Sequence, residues 1–220
     1  MTKRNYLIGI SGGSGSGKTS FIKALKERFQ PEEVLIISLD EYYLPREIQK
    51  TDERGIRNFD LPESLDSQAL IADLNALLGG RSVTRPEYVF NNPLAISKEI
   101  VFHPAPIIII EGLFVLHYKE INRMLDLKVF IHAKEDLKII RRIKRDGQER
   151  NYSIDDVLYR YEHHVTPSYE KFIKPYFEEC DLVITNNVHF KNGLEIFIAY
   201  LEKLTQNNLV RMGYSKSSEA

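Results

Sequence analysis

The chain has 220 residues, of which 43% are hydrophobic and 28% are charged, and 30 Lys and Arg residues nearly balance 31 Asp and Glu residues. This length and composition fit one globular α/β domain with a real core. The net charge of −1 argues against a general nucleic-acid or membrane-surface binder. A single cysteine excludes a disulfide framework and no apolar run could span a membrane, so we expect a cytoplasmic protein without nucleic-acid or membrane partners.

The first predicted elements surround a glycine-rich motif. Tyr6–Ile10 is typical of a short buried strand, and Ser20–Phe29 has the periodicity of an amphipathic helix. Between them, residues 12–19 read GGSGSGKT and fit G-x-x-x-x-G-K-[ST], the phosphate-binding P-loop. Glycines let backbone N–H groups curve around phosphate oxygens, and the helix N-terminus adds partial positive charge. The motif therefore predicts a nucleotide phosphate site.

The P-loop supplies the candidate nucleotide-binding residues, with ATP or GTP as the expected donor. They are Gly12, Gly13, Ser14, Gly15, Ser16, Gly17, Lys18, Thr19 and Ser20. In this motif the lysine reaches the β- and γ-phosphates, and the threonine hydroxyl ligates Mg²⁺. The alternative is a Gly/Ser-rich loop that matches the motif by chance. Such a match is expected in on the order of 1% of chains of this length.

Five apolar runs are predicted to be parallel strands, because they are nearly continuous rather than alternating, as in strands buried on both faces. They are Leu7–Ile10, Val34–Ser38, Ile107–Ile110, Leu127–His132 and Leu182–Thr185. Further helical patterns lie at Pro62–Leu78, Glu135–Arg145, Ile154–Tyr161, Tyr169–Phe177 and Gly193–Leu204. This alternation predicts a P-loop NTPase fold, a five-stranded parallel sheet with helices on both faces.

One domain is predicted over residues 1–212, with a Ser/Lys-rich tail at 213–220 that we expect to be disordered. Residues 81–103 depart from the regular alternation. They contain three short β-like runs, at 83–84, 88–90 and 99–102, separated by Pro86 and Pro93. We interpret this stretch as a small antiparallel β insertion beside the main sheet.

Two acidic residues follow predicted strands. Asp40 lies two residues after Val34–Ser38, and Glu111 directly follows Ile107–Ile110. Ligands of open α/β sheets bind at the carboxyl ends of the strands, and an acidic residue there beside a P-loop usually holds Mg²⁺ or water. Asp40 is the candidate base for an acceptor hydroxyl, although a turn or capping role is the alternative for each carboxylate. Together with the P-loop they favour a phosphotransferase.

A basic segment at residues 141–152 is the candidate lid over the phosphates. Its cationic residues are Arg141, Arg142, Lys144, Arg145 and Arg150. On a helix the residues at 141, 142 and 145 share one side, so we expect Lys144 to face solvent. Guanidinium groups closing over a triphosphate would exclude water and suppress hydrolysis.

These motifs resemble the uridine kinase (uridine–cytidine kinase) family of P-loop small-molecule kinases over about residues 5–188. Besides the P-loop, the resemblance rests on DEYY at 40–43, NFDLP at 58–62, PEYVF at 86–90, EG at 111–112, RRIKRD at 141–146, VTP at 165–167, FIKP at 172–175 and DLVI at 181–184. The segments at 58–62 and 141–146, in this order and spacing, are the specific ones.

The resemblance implies transfer of the ATP or GTP γ-phosphoryl group to the 5′-hydroxyl of a ribonucleoside, from uridine or cytidine to UMP or CMP. It implies Asp40 as catalytic base, assisted by Lys18 and Arg145, with Thr19 and Glu111 serving Mg²⁺. The implied substrate contacts are Asp60 for the ribose, Tyr43, Tyr88 and Phe90 for the pocket wall, and Arg142, Arg145 and Arg150 facing phosphates or substrate. Members of this family often form homo-oligomers, so a dimer or tetramer is expected.

Three positions depart from the family pattern where the base is read. Asn91-Asn92-Pro93 places proline where the family has a histidine, Tyr152 replaces an arginine and Arg160 replaces a glutamine. A site built to hydrogen-bond a base loses discrimination when those partners change. The alternative is therefore a kinase for another metabolite, of the pantothenate, nicotinamide riboside or sugar phosphate type, with Tyr152 and Arg160 still contacting the substrate.

The sequence does not favour two other classes of protein. A regulatory GTPase would need a guanine-reading Asn-Lys-x-Asp element, which the sequence lacks. A binding protein that has lost its activity would not be expected to retain Lys18, Asp40 and Glu111 together.

Overall fold

The computed structural model describes residues 5–89 and 97–211, without the side chains of 149 and 207–211. Its strands are β1 (Tyr6–Ser11), β2 (Val34–Ser38), β3 (Val83–Pro86), β4 (Glu99–Phe102), β5 (Ile107–Glu111), β6 (Leu127–His132) and β7 (Leu182–Thr185). Five of them form one parallel sheet in the order β2-β5-β1-β6-β7. The predicted P-loop fold class is confirmed.

The small β insertion is also confirmed. β3 and β4 pair antiparallel in a separate two-stranded sheet, with Val83 opposite Phe102. The third β-like run is not a strand in its described part, because Tyr88 and Val89 lie in a loop. Phe90 and Asn91-Asn92-Pro93 lie outside the described residues.

The α-helices are α1 (Lys18–Arg28), α2 (Ser67–Leu78), α3 (Lys119–Met124), α4 (Glu135–Glu149), α5 (Ile154–Arg160), α6 (Thr166–Ser168) and α7 (Lys191–Arg211). Turns of 3₁₀-helix span Leu39–Tyr42, Arg46–Ile48, Pro62–Ser64 and Lys174–Glu179. Among the described residues, no helix is both long and apolar enough to cross a bilayer.

One helix prediction was wrong at its start, and one helix was missed. α2 begins at Ser67 rather than Pro62, because the Asp66 side chain caps it by accepting the Ala69 amide. Pro62 instead opens its own 3₁₀ turn. α3 was not predicted, since its six residues give too short a periodic pattern.

The segment from Ile154 to Glu179 is one continuous helical stretch rather than two short helices. Two π-helical turns, Tyr161–Val165 and Tyr169–Ile173, interrupt it. In the first turn the Thr166 amide bonds to the Tyr161 carbonyl, five residues back. Pro167 follows directly, and a proline ring clashes with the carbonyl four residues before it in a regular α-helix. The wider turn accommodates that clash, so the helix continues through the proline.

Apolar side chains cover both faces of the central sheet. On one face α1 and α7 pack through Phe21, Leu25, Phe197 and Leu201, all at most 1% exposed. The opposite face packs against α2, through residues such as Leu70 and Leu74, and against the loop after β5. Burial of this apolar area on both sides holds the strand ends in fixed positions.

Candidate active site

Three neighbouring strands end at one edge of the sheet and bring the predicted site together. β5 lies between β2 and β1, and Glu111 is the register partner of both Ser38 and Ile10. The P-loop leaves the end of β1, and Asp40 lies just past the end of β2. This edge is where ligands of open parallel sheets bind.

The P-loop has the glycine conformations and the uncapped helix start that are typical of a phosphate site. Gly15 has a φ of 81°, and a Cβ there would lie 2.4 Å from the Lys138 carbonyl oxygen. Gly17 precedes α1 in a left-handed conformation, and no side chain caps the helix. Uncapped amides at a helix start bind anions. The Lys18 ammonium donates to the Gly12 carbonyl across the loop at 2.9 Å, and Thr19 and Ser20 are exposed at the start of α1. These features fit a nucleotide phosphate.

Two residues that sequence reasoning missed support the P-loop from its flanks. The Asn186 amide donates to the Ser16 carbonyl at 2.8 Å. Lys138 is 2% exposed, lies beside Gly13, pairs with Glu135 at 2.6 Å and stacks over the Tyr169 ring. Asn186 directly follows β7, and a polar residue after a strand end is a sequence signal that could have identified it as a site residue. The sequence around Lys138 contains no comparable signal.

The two candidate carboxylates lie in a charged cluster with Lys18. Glu111 accepts a hydrogen bond from the Ser38 hydroxyl at 2.5 Å, and that hydroxyl also accepts the Asp40 amide at 3.3 Å. Burial, reinforced by Asp40, raises the pKa of Glu111. Burial lowers the pKa of Lys18, against the pull of Glu111 and Asp40.

Asp40 lies in a crevice that solvent still reaches. Desolvation by the surrounding protein raises the pKa of its carboxyl, against the opposing charges of Lys18, Arg150 and Arg145. A carboxylate with a raised pKa is a better proton acceptor than an ordinary aspartate, so the position suits a general base.

A magnesium ion would need phosphate oxygens to complete its ligand set. No group of three His, Cys, Asp or Glu side chains that could hold a metal occurs in the described part of the chain. Thr19 and Glu111 supply one hydroxyl and one carboxylate, and Mg²⁺ is commonly held by one or two protein oxygens together with substrate phosphates and water. The residues present therefore fit Mg²⁺ bound with a nucleotide.

The lid arginines converge on one buried carboxylate, Asp146, which is 1% exposed. Arg142 contacts it at 3.1 Å, Arg145 at 2.8 Å and Arg150 at 3.5 Å. Arg142 also donates to the Ser14 hydroxyl of the P-loop at 2.9 Å. Asp146 was noticed only as part of the RRIKRD motif, and its shared role is visible in the structure alone.

The other two basic residues of the segment lie elsewhere. Arg141 does not share the direction of Arg142 and Arg145, because its guanidinium donates to the Asn186 carbonyl at 2.9 Å. Its expected place in one clamp with them is thus not observed. Lys144 faces solvent, as its position on the helix predicted.

Aromatic rings and Asp60 form the predicted acceptor side of the cleft. The Tyr43 ring lies 5.4 Å from Tyr88 and 6.0 Å from Phe59, measured between ring centroids. Glu41 fixes the backbone of this wall by accepting the Tyr88 amide at 2.9 Å. Asp60 approaches Arg142 at 3.5 Å, so the acceptor side and the lid meet there.

The two residues that replace base-reading positions also lie together. The Arg160 guanidinium stacks on Tyr152 at 5.0 Å and donates to the Arg57 carbonyl at 3.1 Å. Neither Arg57 nor Arg160 forms an ion pair within residues 5–89 and 97–211, and the Nε of each is buried without a hydrogen-bond partner there. This corner therefore holds two guanidinium groups without an acidic partner among the described residues.

Comparison with known proteins agrees with this geometry. A family model described as phosphoribulokinase / uridine kinase family matches residues 7–190. The chain is 35% identical over 208 residues to the uridine kinase of Clostridium tetani, covering 94% of this chain and all of that protein. It is 36% identical over 188 residues to a uridine kinase of Streptococcus agalactiae, covering 86% and 90%.

Two solved structures share the fold. Phosphoribulokinase from Rhodobacter spheroides superposes with a TM-score of 0.61 at 19% identity, covering 84% of this chain and 71% of that one. A possible uridine kinase from Bacillus stearothermophilus gives 0.53 at 22% identity, covering 83% and 90%. The chain belongs to the phosphoribulokinase/uridine kinase family and is a phosphotransferase that acts on a hydroxyl group.

Proposed function

We propose that the protein transfers the γ-phosphoryl group of ATP to the 5′-hydroxyl of uridine or cytidine, giving UMP or CMP. The observation that carries the proposal is the convergence of the P-loop, Asp40 and Glu111 at the ends of three neighbouring strands. The curated relatives at about 35% identity, each named uridine kinase, support nucleoside kinase function.

The catalytic roles follow from the positions of the charged groups. Asp40 accepts the proton of the acceptor hydroxyl as that oxygen attacks the γ-phosphorus, and the bond to the leaving β-phosphate oxygen breaks. Lys18 and Arg145 stabilise negative charge on the transferred group. Arg142 and Arg150 hold phosphates or substrate under the lid at 141–152, whose closure excludes water.

The remaining P-loop residues bind the donor. Backbone amides from Gly12 to Ser20 surround the phosphates, and Thr19 and Glu111 hold Mg²⁺. When bound there, the ion would neutralise negative charge on the donor phosphates. GTP is the alternative donor, because no described contact selects one purine.

The acceptor contacts come from the opposite wall. Asp60 bonds the ribose hydroxyls, and Tyr43 and Tyr88 pack against the nucleoside. Tyr152 and Arg160 take the place of the base-reading arginine and glutamine of the resembled family.

A second candidate substrate class is an anionic metabolite. Arg57 and Arg160 form no ion pair with any described residue, and their Nε groups lack hydrogen-bond acceptors there. Guanidinium groups without an acidic partner suit a phosphate or carboxylate at least as well as a neutral base. Sugar phosphates and pantothenate belong to this class. Nicotinamide riboside, whose pyridinium ring is cationic, is a separate non-pyrimidine alternative.

We further propose a cytoplasmic enzyme with one domain over residues 1–212, acting on a small molecule without nucleic acid or membrane. A homodimer or homotetramer is expected, with residues 81–103 as a candidate interface.

The experiment is ATP consumption with Mg²⁺ against a panel of uridine, cytidine, other nucleosides, pantothenate, nicotinamide riboside and sugar phosphates. An Asp40→Asn variant controls for contaminating activity. Turnover on uridine or cytidine supports the proposal. Silence on both, with turnover on an anionic acceptor that Arg160→Gln weakens, would establish the second candidate instead.

A further inference from the structure

The segment before Asp60 is a short hairpin shaped by one carboxylate. Thr51 pairs antiparallel with Arg57, and the Asn58 amide donates to the Lys50 carbonyl at 2.8 Å. Inside the turn, Asp52 Oδ1 accepts the amides of residues 54 and 56 at 2.9 and 2.8 Å. One oxygen of Asp52 therefore organises the turn itself.

The other oxygen reaches a distant part of the chain. Asp52 Oδ2 accepts the Tyr159 hydroxyl at 2.9 Å and His164 Nε2 at 2.7 Å. His164 is 2% exposed, and the Arg54 guanidinium lies 4.3 Å above the Tyr159 ring. The hairpin is thus held against the helical stretch that follows the lid, across more than 100 residues of sequence.

The hairpin leads directly into the acceptor wall. The Asn58 side chain accepts the Asp60 amide at 2.9 Å, and Phe59 contacts the Tyr43 ring. Asp60 itself lies 3.5 Å from Arg142. A displacement of the hairpin would therefore move Asp60 and Phe59 relative to the candidate lid, because only two residues separate Arg57 from Asp60.

We propose that Asp52, Tyr159 and His164 form a latch that positions the Asp60 segment for acceptor binding. The inference rests on the proposed acceptor site. The latch members are positioning residues rather than catalytic ones, because the four hydrogen bonds that Asp52 accepts use the capacity of its two oxygens. The π-helical turn Tyr161–Val165 carries His164, so the widened turn sets the direction in which the imidazole points.

The test compares a breaking variant with a conservative one at the same position. His164→Leu removes the donor to Asp52 and keeps an apolar side chain in the buried site. His164→Gln retains an N–H donor near the position of Nε2. Tyr159→Phe removes one hydrogen bond and keeps the ring under Arg54. Glu162→Gln is the matched control, because Glu162 lies on the same π-helical turn, is exposed and contacts no latch residue in the described structure.

We expect His164→Leu to raise the KM for the acceptor roughly tenfold, because a charge-assisted hydrogen bond is lost. The KM for ATP should stay unchanged, since the latch does not touch the P-loop. Tyr159→Phe should raise the acceptor KM roughly threefold, and His164→Gln should restore most of the loss. Hydrogen exchange of the Arg54 and Ile56 amides should be faster in His164→Leu.

Two results would overturn the latch. One is an acceptor KM that is unchanged in His164→Leu, whether or not the hairpin amides exchange faster. The other is an equal rise in the KM values for ATP and acceptor, which indicates general destabilisation. The KM is measured with whichever panel acceptor the wild-type protein phosphorylates. A non-pyrimidine acceptor would contradict the proposed function while the latch is still tested on it.

Discussion

The proposed phosphate side and the proposed acceptor side of the cleft are built from different parts of the polypeptide. On the phosphate side the ligand-facing groups are backbone amides, held in place by close contacts such as that of Gly15 with the Lys138 carbonyl. On the acceptor side they are side chains, held by long-range bonds such as Asp60–Arg142 and Asp52–His164. Single substitutions can change which ligand binds to a surface made of side chains, whereas they do not change the hydrogen bonds that backbone amides donate. Donor binding and acceptor choice are thus separable properties.

The strongest way to break this comparison is to remove one charged group from each side. Asp40→Asn should lower kcat roughly 1,000-fold and leave ATP binding nearly intact, because it removes the base and not the phosphate cradle. Lys18→Ala should weaken both ATP binding and transfer. Calorimetric ATP titration with steady-state kinetics measures both quantities. Full activity in Asp40→Asn would show that another group takes the proton.

Asp146 tests whether the lid arginines depend on a shared partner. Asp146→Asn leaves three guanidinium groups without their carboxylate, so the free energy of unfolding should fall by about 3 kcal/mol and kcat should drop. Urea unfolding checks the stability, with Asp155→Asn on the exposed face of α5 as control. A stability equal to that of the control would mean that the arginines find other partners.

Two glycines with similar backbone conformations sharpen the comparison between backbone and side-chain walls. Gly15 and Gly55 have φ values of 81° and 74°, but a Cβ meets the Lys138 carbonyl at Gly15 and nothing within 4 Å at Gly55. Gly55→Ala should cost about 1 kcal/mol of stability from backbone strain alone. Gly15→Ala should cost more and weaken ATP binding. Equal losses in thermal unfolding would show that the close contact is unimportant.

The smallest expected effect concerns the pH dependence of kcat/KM. Because desolvation raises the pKa of Asp40, the base should become protonated, and kcat/KM should fall, at a pH above the ordinary aspartate range near 4. A kcat/KM profile that stays flat down to about pH 4 would argue against Asp40 as the base.

The same raised pKa has a consequence for stability. The contribution of Asp40 to the free energy of unfolding is fully present at low pH, where its carboxyl is protonated. That contribution is lost as the pH rises through the pKa of Asp40 in the folded state. At neutral pH, Asp40→Asn should therefore raise the melting temperature slightly even though it abolishes transfer. A lower melting temperature would show that the ionised carboxylate stabilises the fold.

Local signals made the phosphate side predictable. The motif Gly12–Thr19 and each apolar strand are continuous segments of sequence. Their patterns therefore predict the phosphate-binding loop, the parallel sheet and the sheet edge at which ligands bind. The acceptor side was predicted only by resemblance, since Asp60 gains its setting from Arg142, 82 positions later in the chain. Lys138, Asn186 and the pair Asp52–His164 depend on tertiary contacts that no local pattern encodes. The continuous helix through Pro167 was missed because proline normally ends one.

Packing between α4 and the P-loop locates the hinge of any lid motion. The Lys138 carbonyl lies against Gly15 and Arg142 is bonded to Ser14, so the first half of α4 moves as one body with the phosphate cradle. A rotation of the first half of α4 would break its contacts with the P-loop. Beyond Asp146 the chain has Gly147 and then Asn151, whose φ is 54°. This packing would restrict any motion of the candidate lid to the end of α4 and the turn after it, which carry Arg150 and Tyr152.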